Sequence, residues 1–212
     1  MKTALCDGGS RRVALRSLLG AALFVCAGCA GAADPTIAEG VDGTYVGAIR
    51  VDGNDVAVGL VVRDRDASFY ACGEGPTLAT HTRWLAGPLD GGTVHLEIEG
   101  MRVDGALSGD AAGGVLTREG DAPLSWSAVR VPDDGIAGLY SATDEGCKTG
   151  VVVWSDADGE PALQGSWCNE AGARMQVQPI LPVERVVDSI EVSVPLTPPR
   201  RLVVRAVDLA GR

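Results

Sequence analysis

The side chains that could carry chemistry are few: Cys29, Cys72, Cys147 and Cys168, the histidines His81 and His95, and the tryptophans Trp84, Trp126, Trp154 and Trp167. A histidine can act as base for a serine or cysteine nucleophile, but no Gly-x-Ser-x-Gly elbow is present and Ser108-Gly109 reads as a turn. His81 is the one base close to Cys72 in sequence, and a buried structural thiol is the commoner fate of such a cysteine. His95 stands between Thr93 and Glu97 on the polar side of an alternating run, which suits a solvated ring. No second histidine lies at metal-ligand spacing. Asp156-Ala157-Asp158-Gly159-Glu160 gathers three carboxylates but lacks the longer loop and distal glutamate of an EF-hand, so it reads as a hairpin turn. No catalytic residue, metal ligand or cofactor is expected.

Cys147 and Cys168 flank that turn almost symmetrically, so hairpin pairing places them nearly opposite. A Cys147–Cys168 disulfide is expected, worth about 3 kcal/mol through loop closure in the unfolded chain. Cys72 is then free and buried; Cys72–Cys147 is the competing connectivity. The tryptophans have two readings. Trp84 and Trp126 could line an interior cavity for a small apolar ligand, or all four could be core.

These residues sit on strands. Val56, Val58, Leu60 and Val62 alternate with Ala57, Gly59 and Val61, and Val94, Leu96 and Ile98 alternate with His95 and Glu97. Met175 and Val177, and then Ile190 to Leu196, repeat the pattern. Asp52-Gly53, Asp90-Gly91-Gly92, Ser108-Gly109-Asp110, Glu119-Gly120-Asp121 and Asp158-Gly159 supply tight turns at hairpin spacing. The fold class is all-β: an antiparallel meander, either a curled sheet or an up-and-down barrel, with a further β-hairpin region at the C-terminus. A β-sandwich is the alternative. The expected organisation is a signal peptide over 1–28, a tether over 29–42, a meander or barrel over 43–131 and a second β-rich region over 132–212.

That second region carries an echo of 43–75. Gly43-Thr44-Tyr45 and then Cys72 parallels Gly138-Leu139-Tyr140 and then Cys168, with 27 residues from tyrosine to cysteine in the first and 28 in the second. Pro179, Pro182, Pro195, Pro198 and Pro199 interrupt the tail and are expected to confine its strands to edges.

The N-terminus supplies the address. Arg11, Arg12 and Arg16 precede the apolar run Ser17–Gly28, too short to span a ~30 Å hydrocarbon core, which is the layout of a secretory signal. Cys26-Ala27-Gly28-Cys29 resembles the bacterial lipobox, with Cys26 where the motif has an aliphatic residue; the resemblance implies lipidation of Cys29. Ser10 to Arg16 resembles a twin-arginine leader carried by Arg11 and Arg12, and the general secretory route is the alternative. Removing residues 1–28 leaves 184 residues with 14 basic and 27 acidic side chains, a net of −13. Such a surface has no basic patch for nucleic acid.

From Gly43 to about Leu181 the chain resembles a group of exported β-rich proteins found mainly in actinobacteria and their relatives. The shared residues are Gly43, Tyr45, Gly47, Cys72, Gly75, Trp84, Gly138, Leu139 and Tyr140. The resemblance implies the fold and the exported address only. The functional expectation is a lipid-anchored, non-enzymatic binding or envelope-interaction domain, its membrane contact made through Cys29. A calycin-like barrel holding a small apolar ligand is the alternative, and a hydrolase the third reading. A filled barrel interior would count against the second, and a Ser or Cys within reach of His81 or His95 would favour the third.

Overall fold

The computed structural model describes residues 41–209; the leader, Arg11, Arg12 and Cys29 lie outside the described residues. Eight strands run in succession: β1 (Gly43–Val51), β2 (Asn54–Arg63), β3 (Asp66–Cys72), β4 (Arg83–Asp90), β5 (Thr93–Ile98), β6 (Met101–Ser108), β7 (Ala111–Arg118) and β8 (Leu124–Val131). Each pairs antiparallel with the next, and β8 returns to β1 from Thr44–Val131 to Ile49–Trp126, so the sheet closes into a barrel. That last pairing separates barrel from sandwich. The first hairpin turns on Asp52 and Gly53, both at positive φ (49° and 84°), the type I′ geometry whose twist matches that of its strands. A short helix, α1 (Leu78–His81), joins β3 to β4. Among the described residues no helix is long and apolar enough to cross a membrane.

Alternation sorts the side chains. From β2, Val56, Val58, Leu60 and Val62 point inward, where they meet Tyr45, Phe69, Leu96, Val103, Leu116 and Trp126 in one continuous apolar cluster. On β5, His95 and Glu97 face outward and are exposed, as their alternation implies.

The C-terminal region is larger than a hairpin. Strands β9 (Gly138–Asp144), β10 (Cys147–Ser155), β11 (Pro161–Cys168), β12 (Arg174–Gln176), β13 (Gln178–Pro179), β14 (Ser189–Val194) and β15 (Arg200–Ala206) form a second antiparallel sheet in the order β12-β11-β10-β9-β15-β14-β13. The outermost strands, β12 and β13, are consecutive pieces of chain separated only by Val177. One pairs with β11 and the other with β14, while the Val177 N–H donates to the Gly165 carbonyl at 3.0 Å. The sheet thus curls into a nearly closed second barrel around Tyr140, Val151, Val153, Trp167, Ile190 and Val204. Pro179 lies on the outermost strand β13, but the prolines do not confine the rest of this tail to edges. Pro195, Pro198 and Pro199 fall between β14 and β15, which leaves both strands inside the sheet.

Pairing registers bear on the echo between the halves. Tyr45 pairs with Leu60 and Tyr140 with Val151, so Gly59 and Gly150 occupy the same place one residue earlier on β2 and β10. Carried across to the third strands, the same registers set Cys72 and Cys168 in equivalent positions. Both tyrosine hydroxyls donate to the carbonyl four residues upstream, Tyr45 to Val41 at 2.8 Å and Tyr140 to Ile136 at 2.7 Å.

Candidate binding cleft between the two barrels

The barrels meet through a third apolar layer. Ala57, Val61, Tyr70 and Cys72 on the outside of the first barrel pack against Leu139 and Val152 of the second. The contact interlocks at the two equivalent glycines. A Cβ added to Gly59 would lie 2.9 Å from Leu139 Cδ1, and one added to Gly150 would lie 2.5 Å from the Tyr70 ring. Only hydrogen leaves room for these close approaches.

The tryptophans are not brought together. Trp126 is inside the first barrel, edge-on to Phe69 with centroids 5.2 Å apart, and its indole N–H donates to the Asp104 carbonyl at 3.3 Å. Trp84 is on the outside of the same wall, against Tyr70 at 4.4 Å, with the Lys148 ammonium 3.8 Å from its ring centroid. Trp167 fills the second barrel, its N–H donating to Asp144 Oδ2 at 2.9 Å. Trp84 and Trp126 therefore line no common cavity, and the first barrel's interior is occupied by its own side chains.

Trp154 has a different role. It forms one wall of an apolar cleft of about 480 Å³ along one flank of the contact between the barrels, opposite Val46, Ala48, Val129, Val131 and Ala137. Val129 is 61 % exposed there, on a strand that otherwise alternates cleanly. At one end the Gln164 amide donates to the Asp55 carbonyl at 3.3 Å, tying β11 to β2, and the Asp55 carboxylate pairs with Arg50 at 2.8 Å. A concave, mostly apolar surface with a few fixed polar groups is the usual form of a small-molecule site, and this volume lies within its usual range. Sequence reasoning named Trp154 but not the cleft. The signal was the outward run Val129 and Val131, which continues past the end of the alternation.

Cys147 and Cys168 form a disulfide with Cα atoms 5.6 Å apart. The strand register is one residue off from direct opposition, and regular pairing of β10 with β11 begins at Gly150–Ser166, so the bridge closes the free strand ends. Cys72 is free and fully buried, and burial pushes its thiol up to about 11, far from the thiolate that reacts. His81 Nδ1 meets Thr80 Oγ1 at 2.8 Å, while its Nε2 is buried without a hydrogen-bond partner. His95 Nδ1 meets Asp104 Oδ1 at 2.6 Å; this contact, together with Arg102 at 2.7 Å, holds the Asp104 carboxyl below its usual range. Among the described residues neither histidine ring has a serine or cysteine hydrogen-bond partner. Asp156 Oδ1 accepts the backbone N–H groups of Asp158 and Glu160, both at 2.9 Å, which is turn chemistry.

The disulfide is consistent with an extracytoplasmic domain. No protein-family model, no curated protein and no solved structure matches the chain.

Proposed function

We propose that this chain is a non-enzymatic binding module of a bacterial cell envelope. In this reading the leader exports it, acyl chains on Cys29 tether it to the outer face of a membrane, and a small apolar ligand sits in the cleft between its barrels. The observation that carries the reading is the cleft itself. Trp154 and six aliphatic side chains line about 480 Å³ of open space, while the first barrel's interior is filled. A barrel of this kind is compatible with a calycin-like binding module, but here the ligand is placed outside the barrel wall. The leader, the acidic mature surface and the disulfide support the address.

The test uses N-phenylnaphthylamine, whose fluorescence rises in apolar surroundings. The folded protein should bind it saturably, and Ala48→Trp, an exposed position on the cleft wall, should weaken binding at least tenfold while leaving the fold intact. Equal binding by both proteins would remove the cleft from the account.

A further inference from the structure

The opposite flank of the contact between the barrels holds a cleft of different chemistry. It has a volume of about 400 Å³ and is lined by Gly75, Leu78, Ala79 and Gly172 together with Arg83 and Arg174. The two arginines open equivalent fourth strands, Arg83 on β4 and Arg174 on β12. Their guanidinium groups converge on a single acceptor, the Thr82 carbonyl oxygen, which receives Arg83 Nη1 at 2.7 Å and Arg174 Nη1 at 3.1 Å. Thr82 is buried, and its hydroxyl accepts the Gly73 N–H at 3.1 Å, so this anchor point is fixed by the first barrel.

Two like charges held against one oxygen repel each other. The usual remedy is a carboxylate, and this chain has 28 acidic residues to supply one. Arg50, Arg63, Arg102, Arg118, Arg200, Arg201 and Arg205 each have such a partner. Arg83 and Arg174 do not: among the described residues their hydrogen bonds go to the carbonyls of Ala79 and Thr82. The nearest acidic residues in sequence are Asp90 to Arg83 and Glu170 to Arg174, and neither forms an ion pair with them. Partial burial, and then the nearness of Arg174, lowers the Arg83 pKa, as expected of a cation without a counterion.

We propose that Arg83 and Arg174 form a two-pronged receptor for a phosphate group. A carboxylate offers two oxygens and is satisfied by one guanidinium fork. Two forks on one cleft suit a tetrahedral anion with more acceptor oxygens. The receptor is made jointly by the two barrels and is independent of the apolar cleft.

The test is ¹⁵N NMR of arginine side chains titrated with inorganic phosphate against chloride at constant ionic strength. The Nε–Hε resonances of Arg83 and Arg174 should shift together and saturate. Arg83→Gln and Arg174→Gln should each raise the dissociation constant at least tenfold, and Arg201→Gln should leave it unchanged. If a variant fails to fold, the wild-type resonances still decide. A second arm with phosphatidylglycerol vesicles locates the source: vesicle binding abolished by the same variants puts the phosphate on a lipid headgroup, and phosphate binding without vesicle binding puts it on a solute. Unsaturable shifts spread over all exposed arginines, unchanged affinity in both variants, or equal binding of acetate would overturn the proposal.

Discussion

His81 ends α1 with its ring buried and its Nε2 unpartnered, so a proton on that ring would be a charge held away from solvent. Burial, and then the nearby Arg118, lowers its pKa below that of an exposed imidazole. An unfolded chain takes up this proton near pH about 6.5, whereas the folded chain resists it to lower pH. The stability conferred by the neutral ring is therefore complete above that pH and drains away as pH falls below it. Denaturant unfolding of the wild type between about pH 7.5 and 5 should show this loss, and His81→Gln should flatten the slope. The disulfide acts on the unfolded state: Cys147→Ala with Cys168→Ala should lower unfolding free energy by about 3 kcal/mol. Cys72 should stay unmodified by iodoacetamide until the protein unfolds, since its thiol is buried and protonated. The pairing of Cys147 with Cys168 was legible because both flank one turn. The burial of His81 was not, because the contacts that enclose it come from distant parts of the chain.

Strand β2 shows what alternation can and cannot reveal. Its inward set, Val56, Val58, Leu60 and Val62, announces a strand with one face on a core, and eight strands joined by short turns close when β8 pairs with β1. Its outward set, Ala57, Gly59 and Val61, should have been polar on a free-standing barrel. That face is small and apolar because the second barrel covers it. The signal was in the sequence, but only the partner surface gives it meaning. Strand β15 was harder still: Leu202, Val203 and Val204 form a short run between arginines, and pairing with β9 and β14 makes it a strand. The glycine interlock sets the prediction at this scale. Gly150→Val would drive a branched side chain into the Tyr70 ring, costing about 1–3 kcal/mol by overpacking. Thermal unfolding should show one transition in both proteins, shifted to lower temperature in the variant. A transition that splits without shifting would mean that the barrels do not depend on this contact.

As a whole molecule the chain joins two barrels related by a three-strand unit of tyrosine, glycine and cysteine in matching register. Their contact is sealed by apolar packing and leaves a cleft on each flank, one apolar and one cationic. The all-β class and the antiparallel meander of the first half could be read from periodicity and turn spacing, whereas its closure into a barrel depends on β8 pairing with β1. The closure of the second sheet depends on one six-residue segment pairing on both sides, a long-range event that no local pattern encodes. The central claim joins address to binding, and native mass spectrometry of the protein extracted from its own membrane tests both at once. The account predicts a polypeptide beginning at Cys29 with an acyl mass that survives denaturation, plus a small apolar adduct that denaturation releases and Ala48→Trp abolishes. An unmodified chain beginning elsewhere, with no small adduct in either protein, would contradict it.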